Sequence, residues 1–91
     1  MQQNTEKILH LKKVLGSLIK KLRTERTNFT VNEMAYAFDI ARGNLSKIEN
    51  GYNDPRFSTI LKIAEATGLK FSEFAKLLED ELGEDFKLMD E

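Results

Sequence analysis

Two short helical segments separated only by about Asp39-Ile40-Ala41 constrain this chain more than any other feature. A connection that short holds two helices at a steep crossing, and the small Ala35 lets them approach closely. The first segment has a strong start signal in Thr30-Val31-Asn32-Glu33. This is a capping box: the Thr30 hydroxyl accepts from the Glu33 amide, and the Glu33 carboxylate reaches back. Phe29 before the cap and Met34 within the helix fit a hydrophobic staple. Met34, Ala35 and Phe38 then form the buried face, and the helix is expected to stop near Asp39. The second segment spans about Arg42 to Asn50, with Leu45, Ile48 and Glu49 on one face. Arg42, Gly43, Ser46, Lys47 and Asn50 lie mostly on the other. Gly51 suits the left-handed residue that ends a helix, and Tyr52-Asn53-Asp54-Pro55 reads as a turn.

The rest of the chain is helical by the same logic. Ile8, Leu11, Leu15, Leu18 and Leu22 recur at spacings of three and four, which places them on one stripe of a helix from Thr5 to Arg26. Val14 and Ile19 widen that stripe. A fourth helix from about Phe57 to Thr67 is expected to turn Phe57, Ile60, Leu61 and Ala64 inward, and Gly68 ends it. A fifth from about Phe71 to Leu82 is expected to turn Phe74, Leu77 and Leu78 inward. One proline and few β-branched clusters agree with an all-α class. The expected organisation is a helical leader over 1–13, a compact five-helix domain over 14–80 with an extended first helix, and a short acidic tail over 81–91.

Composition removes several functions. With no cysteine in 91 residues, a disulfide scaffold, a thiolate zinc site and a cysteine nucleophile are excluded. His10 alone cannot supply a histidine metal cluster or a serine triad. Glu79, Asp80, Glu81, Glu84 and Asp85 lack the alternating spacing and turn glycine of a calcium loop. No glycine-rich phosphate loop is present. No apolar run approaches the ~20 residues of a membrane span, so the cytoplasm is the expected compartment. Neither catalysis nor a cofactor is expected. The formal charge of −1 hides two halves. Residues 1–62 carry 11 Lys and Arg against 6 Asp and Glu, whereas residues 63–91 carry 3 against 9. A local basic face permits nucleic-acid contact despite an acidic whole, because the local field governs backbone binding.

The strings Leu22-Arg23, Thr30-Val31-Asn32-Glu33-Met34-Ala35, Leu45-Ser46-Lys47-Ile48-Glu49-Asn50-Gly51, Pro55-Arg56-Phe57, Leu61-Lys62-Ile63-Ala64 and Gly68-Leu69 stand in an informative order and spacing. With them, Leu15 to Leu78 resembles the phage-repressor-like (Xre, Cro-cI type) helix-turn-helix family. The resemblance implies a five-helix DNA-binding domain whose third helix enters the major groove. By position, Arg42, Gly43 and Lys47 fall where that family reads bases, with Asn44 and Ser46 nearby. Asn50 falls where the family contacts a phosphate, and Arg56 where some members place an arginine near the minor groove. Glu49 falls where the family pairs with a helix-one arginine, for which Arg23 is the candidate.

The residue chemistry carries these roles unevenly. Arg42 can make a bidentate contact to guanine, worth ~1–3 kcal/mol of discrimination. As a cation at a helix start it would oppose the dipole, which favours a functional reading. Asn44 can read adenine or cap a helix, and Ser46 can bond phosphate or its own preceding turn. Glycine costs ~1 kcal/mol inside a helix, so Gly43 marks either close backbone approach to DNA or a tolerant site. Four departures from the family pattern stand out: Val31 replaces a common glutamine, Ala41 leaves the third helix without a side-chain cap, Arg23 to Thr30 is one residue longer, and Asp54 brings a negative charge near the phosphate track.

The expected function is a sequence-specific transcriptional regulator, a repressor, binding a pseudo-palindromic operator as a homodimer. One recognition helix covers few base pairs, so a single module gains specificity from a partner copy. Candidate dimer surfaces are Ile8 and Leu11 in the leader and Leu78, Leu82, Phe86 and Leu88 near the C-terminus. The alternatives are an antitoxin-like protein gripping a partner through leader or tail, and an interaction module that has lost DNA binding.

Overall fold

In a computed structural model, which describes residues 2–3 and 5–90, five helices follow one another: α1 (Thr5–Arg26), α2 (Val31–Ala37), α3 (Asn44–Glu49), α4 (Phe57–Ala66) and α5 (Phe71–Leu82). Two two-residue strands, β1 (Gln2–Gln3) and β2 (Met89–Asp90), pair antiparallel and add a minor clasp to the helical architecture. No helix among the described residues is long and apolar enough to cross a membrane.

The core is built on α1, whose Leu15, Leu18, Ile19 and Leu22 are buried. Ile19 is at the centre of the packing and fully enclosed, rather than a flank of the stripe. Met34 and Ala35 of α2, Leu45 and Ile48 of α3, Ile63 and Ala64 of α4 and Phe74 of α5 close around it. Gly16 makes this arrangement possible. A Cβ there would overlap the Ile48 carbonyl oxygen and sit 2.7 Å from the Glu49 carbonyl oxygen. The end of α3 therefore lies directly on the α1 backbone.

The capping box of α2 is complete. Glu33 N–H donates to Thr30 Oγ1 at 3.1 Å, and Thr30 N–H donates to Glu33 Oε1 at 2.8 Å. The bond from the Thr30 backbone, with the side-chain bond second, holds the Glu33 carboxyl below its ordinary pKa. The long connection from α1 is also ordered: Thr27 Oγ1 donates to the Arg23 carbonyl at 2.7 Å and accepts from Phe29 N–H at 3.1 Å.

Four expectations need correction. The segment read as Thr30 to Asp39 ends at Ala37, because Asp39 takes a left-handed φ of 55° that no helix continues. The third helix starts at Asn44, not Arg42. Gly43 is its N-cap with φ 79°, so Arg42 and Gly43 belong to the turn, and Ala41 is not the capping position. In α4, Ala64 is buried and Ile60 packs against the core as expected, but Phe57 and Leu61 are 63% and 41% exposed, and Thr59 and Ile63 are buried in their place. Leu77 of α5, expected inward, is exposed, whereas Ile40 lies in the turn as read and is buried there.

The leader does not stand apart. It is the first part of an unbroken α1, and its exposed His10 ring lies 6.0 Å from the ring of Phe86. Ile8, Leu11, Leu78, Leu82, Phe86 and Leu88, the expected dimer surfaces, are each half-buried in the single chain.

Candidate nucleic-acid interface

Helix α3 has two faces with different fates. Leu45 and Ile48 are buried against the core, and Glu49 is held by Arg23. Arg23 Nε donates to Glu49 Oε2 at 2.8 Å and Nη2 to Oε1 at 3.0 Å, a bidentate pair. Arg23 Nη1 donates to the Phe29 carbonyl at 3.0 Å, so one side chain ties α1, α3 and the α1–α2 connection together. The hydrogen bond that Arg23 donates to Glu49 raises the Arg23 pKa above its ordinary value. The pair is 12% and 5% exposed, and removing one member of such a pair costs about 3–5 kcal/mol because the other charge is stranded. Glu49→Ala is therefore expected to lower the unfolding free energy by about 3 kcal/mol. An unchanged midpoint in urea denaturation would contradict that role.

The opposite stripe of α3 carries the candidate DNA contacts. Positions 43, 46, 47 and 50 recur at helical spacing and fall together, with Arg42 just ahead of them. Arg42 and Lys47 are exposed, and neither side chain has a hydrogen bond or ion pair among the described residues. Gly43 leaves open space where a Cβ would stand, so its left-handed φ, not crowding, explains the glycine. The other members are more committed. Asn44 Oδ1 accepts from Asn53 Nδ2 at 2.9 Å, which pins the α3–α4 loop to the start of α3. Asn50 Nδ2 donates to the Ser46 carbonyl at 2.8 Å, which closes the end of α3. Arg56 is the exposed N-cap of α4 and has no hydrogen bond or ion pair to the others.

Two residues missed by sequence reasoning border this stripe. Tyr36 is 92% exposed, the largest exposure of any large hydrophobic side chain described, and Asn32 lies one turn before it on α2. Both fall on the side of α2 away from Met34 and Ala35, and that periodicity was readable from the sequence. With Ala35, Asp39, Ile40 and Arg42 they line one shallow groove. Among the described residues no group of three or more His, Cys, Asp or Glu side chains could hold a metal ion.

A steeply crossed helix pair that leaves the outer face of its second helix unoccupied defines the helix-turn-helix class of DNA-binding modules. The helix-turn-helix (HTH_3) family signature matches residues 19–74, and the chain belongs to this family of DNA-binding transcriptional regulators, which are not enzymes. It is 33% identical over 66 residues to control protein C.MunI from Mycoplasma sp., across 72% of this chain and 89% of that protein. In fold it is similar to the clp gene regulator ClgR from C. glutamicum, at a TM-score of 0.68 and 20% identity over 80% of this chain and 92% of ClgR. It is also similar to an HTH_3 family transcriptional regulator from Vibrio cholerae, at 0.69 and 23% over 89% of this chain and 45% of that one.

Proposed function

We propose that this protein is a sequence-specific repressor of the cytoplasm that binds a pseudo-palindromic operator as a homodimer, with α3 of each copy in the major groove. The observation that carries this reading is the division of α3: its inner face is spent on Leu45, Ile48 and the Arg23–Glu49 pair, while Arg42 and Lys47 stand uncommitted on the outer side. Gly43, Asn44, Ser46, Asn50 and Arg56 supply the remaining contacts, Asn44 and Asn50 chiefly by fixing the shape of α3. Repression follows from occlusion, since a bound dimer of this size blocks polymerase without further contacts. The similarity to a control protein and the fold shared with regulators support the assignment. Selection of duplexes from a random pool is expected to enrich a two-fold motif, with affinity falling steeply as salt rises. No enrichment and no salt dependence would overturn it.

For the dimer, support comes from apolar surface that a single chain leaves uncovered. Phe57 and Phe71 meet edge to face at 5.2 Å, yet remain 63% and 41% exposed, and Leu61 lies one turn beyond Phe57. Aromatic pairs of this kind dominate interface energetics when covered. Phe57→Asp is expected to shift the protein to a monomer in sedimentation at concentrations where the natural chain is dimeric. A variant that still dimerises would remove this surface from the interface.

A further inference from the structure

We propose that the helical leader is part of the DNA interface: Lys12 and Lys13 contact the phosphate backbone beside the α3–α4 loop. This rests on the DNA-binding reading above and extends it, because the helix-turn-helix signature begins at residue 19 and includes neither lysine. The leader meets that loop directly. A Cβ on Gly51 would stand 3.3 Å from Lys13 Cα and 3.7 Å from the Lys12 carbonyl oxygen, so the loop rests on the α1 backbone. Lys12 Nζ donates to the Tyr52 carbonyl at 3.4 Å, which places an ammonium group at the loop. Lys13 is exposed, and its side chain has no hydrogen bond or ion pair among the described residues.

Charge balance gives these two lysines their use. A recognition helix meets base edges with its N-terminal residues, so its other end lies toward the sugar-phosphate backbone. That surface calls for cations. The loop from Asn50 to Arg56 carries one acid, Asp54, and one base, Arg56, so it has no net charge of its own. The first helix supplies what the loop lacks. From residue 7 to residue 24 it holds five Lys and one Arg, and no Asp or Glu. Arg23 is spent on Glu49, and Lys21 lines a groove with Ser17 and Glu81 on the α5 side. Lys13 borders that groove as well, but its backbone carries Gly51. Lys12 keeps two of its three N–H donors after the bond to Tyr52. Fixing the loop needs one lysine; the second, beside it and unpaired, adds charge where a phosphate would stand.

The test uses the full chain, the duplex selected from a random pool and a scrambled duplex, with affinity followed against salt. The double variant Lys12→Gln with Lys13→Gln is expected to bind both duplexes about tenfold more weakly in low salt. Its slope of log affinity against log salt should be shallower by about 1.8, two phosphates' worth. The selected base sequence should stay the same. Lys21→Gln should leave the slope unchanged, and Arg at both 12 and 13 should restore it. Lys13→Gln alone should give half the change in slope with an unaltered melting temperature, which keeps the test clear of any loosening of the loop at Tyr52. An unchanged slope in the double variant would overturn the proposal. So would an altered base preference, an equal effect from Lys21→Gln, or failure of the arginines to restore binding. If the natural chain binds neither duplex, the DNA-binding reading itself fails and this inference falls with it.

Discussion

Gly16→Ala is expected to lower the melting temperature by about 10–20 °C, the largest stability change expected from adding a single methyl group anywhere in α1. Helix propensity alone argues the reverse, since alanine is favoured over glycine by about 1 kcal/mol in a helix interior. Sterics win because the new Cβ would overlap the Ile48 carbonyl oxygen and approach Glu49 C to 2.9 Å. Those are backbone atoms, so no side chain can rotate away. Either α1 and α3 separate, or the end of α3 unwinds. Separation would loosen Ile19, Leu45 and Ile48 together and stretch the Arg23–Glu49 pair. A loss of about 3 kcal/mol is a large part of the roughly 5–14 kcal/mol expected for a domain of this size. Thermal unfolding followed by circular dichroism checks it, and an unchanged or higher melting temperature would refute the close approach.

The second large effect concerns recognition, not folding. The double variant Arg42→Ala with Lys47→Ala is expected to lose at least about 30-fold in affinity for its selected duplex, if each contact supplies ~1–3 kcal/mol. Neither side chain has a hydrogen bond or ion pair among the described residues, so the melting temperature should not move. Removing two cations should also flatten the salt dependence by about two charges' worth. A folded double variant with natural affinity would remove α3 from the interface.

Much of the fold was legible before any coordinate. The stripe from Ile8 to Leu22 reports a helix of 22 residues because apolar spacing of three and four has one simple geometric solution. Thr30 and Glu33 announce the start of α2 because their capping bonds are local, spanning three residues. The α4 face was only half legible, since Ile60 and Ala64 turn inward but Phe57 and Leu61 do not. Phe57 and Leu61 extend that stripe on one side as well as Thr59 and Ile63 do on the other, and only the packing of the neighbouring helices decides which side is covered. Tyr36 was visible as an aromatic on the polar side of α2, but its groove with Arg42 depends on how the turn folds.

What the sequence determined by itself is therefore the set of helices, the cap of α2, the sharp turn and the helix-turn-helix class. Each rests on residues a few positions apart, whose interactions form wherever the chain is. Tertiary structure decided the rest. Arg23 and Glu49 lie 26 residues apart, and only the packing of α1 on α3 brings them to 2.8 Å. The same packing turned Gly16 from an ordinary helix-weakening residue into the contact point of two backbones. It put Asp39 and Gly43 in left-handed conformations at the two ends of the turn, which moved the start of α3 to Asn44 and left Arg42 outside the helix, at the head of its exposed face. The physical reason is common to all three: burying Ile40, Leu45 and Ile48 against α1 stabilises the fold by more than the local backbone preferences oppose it.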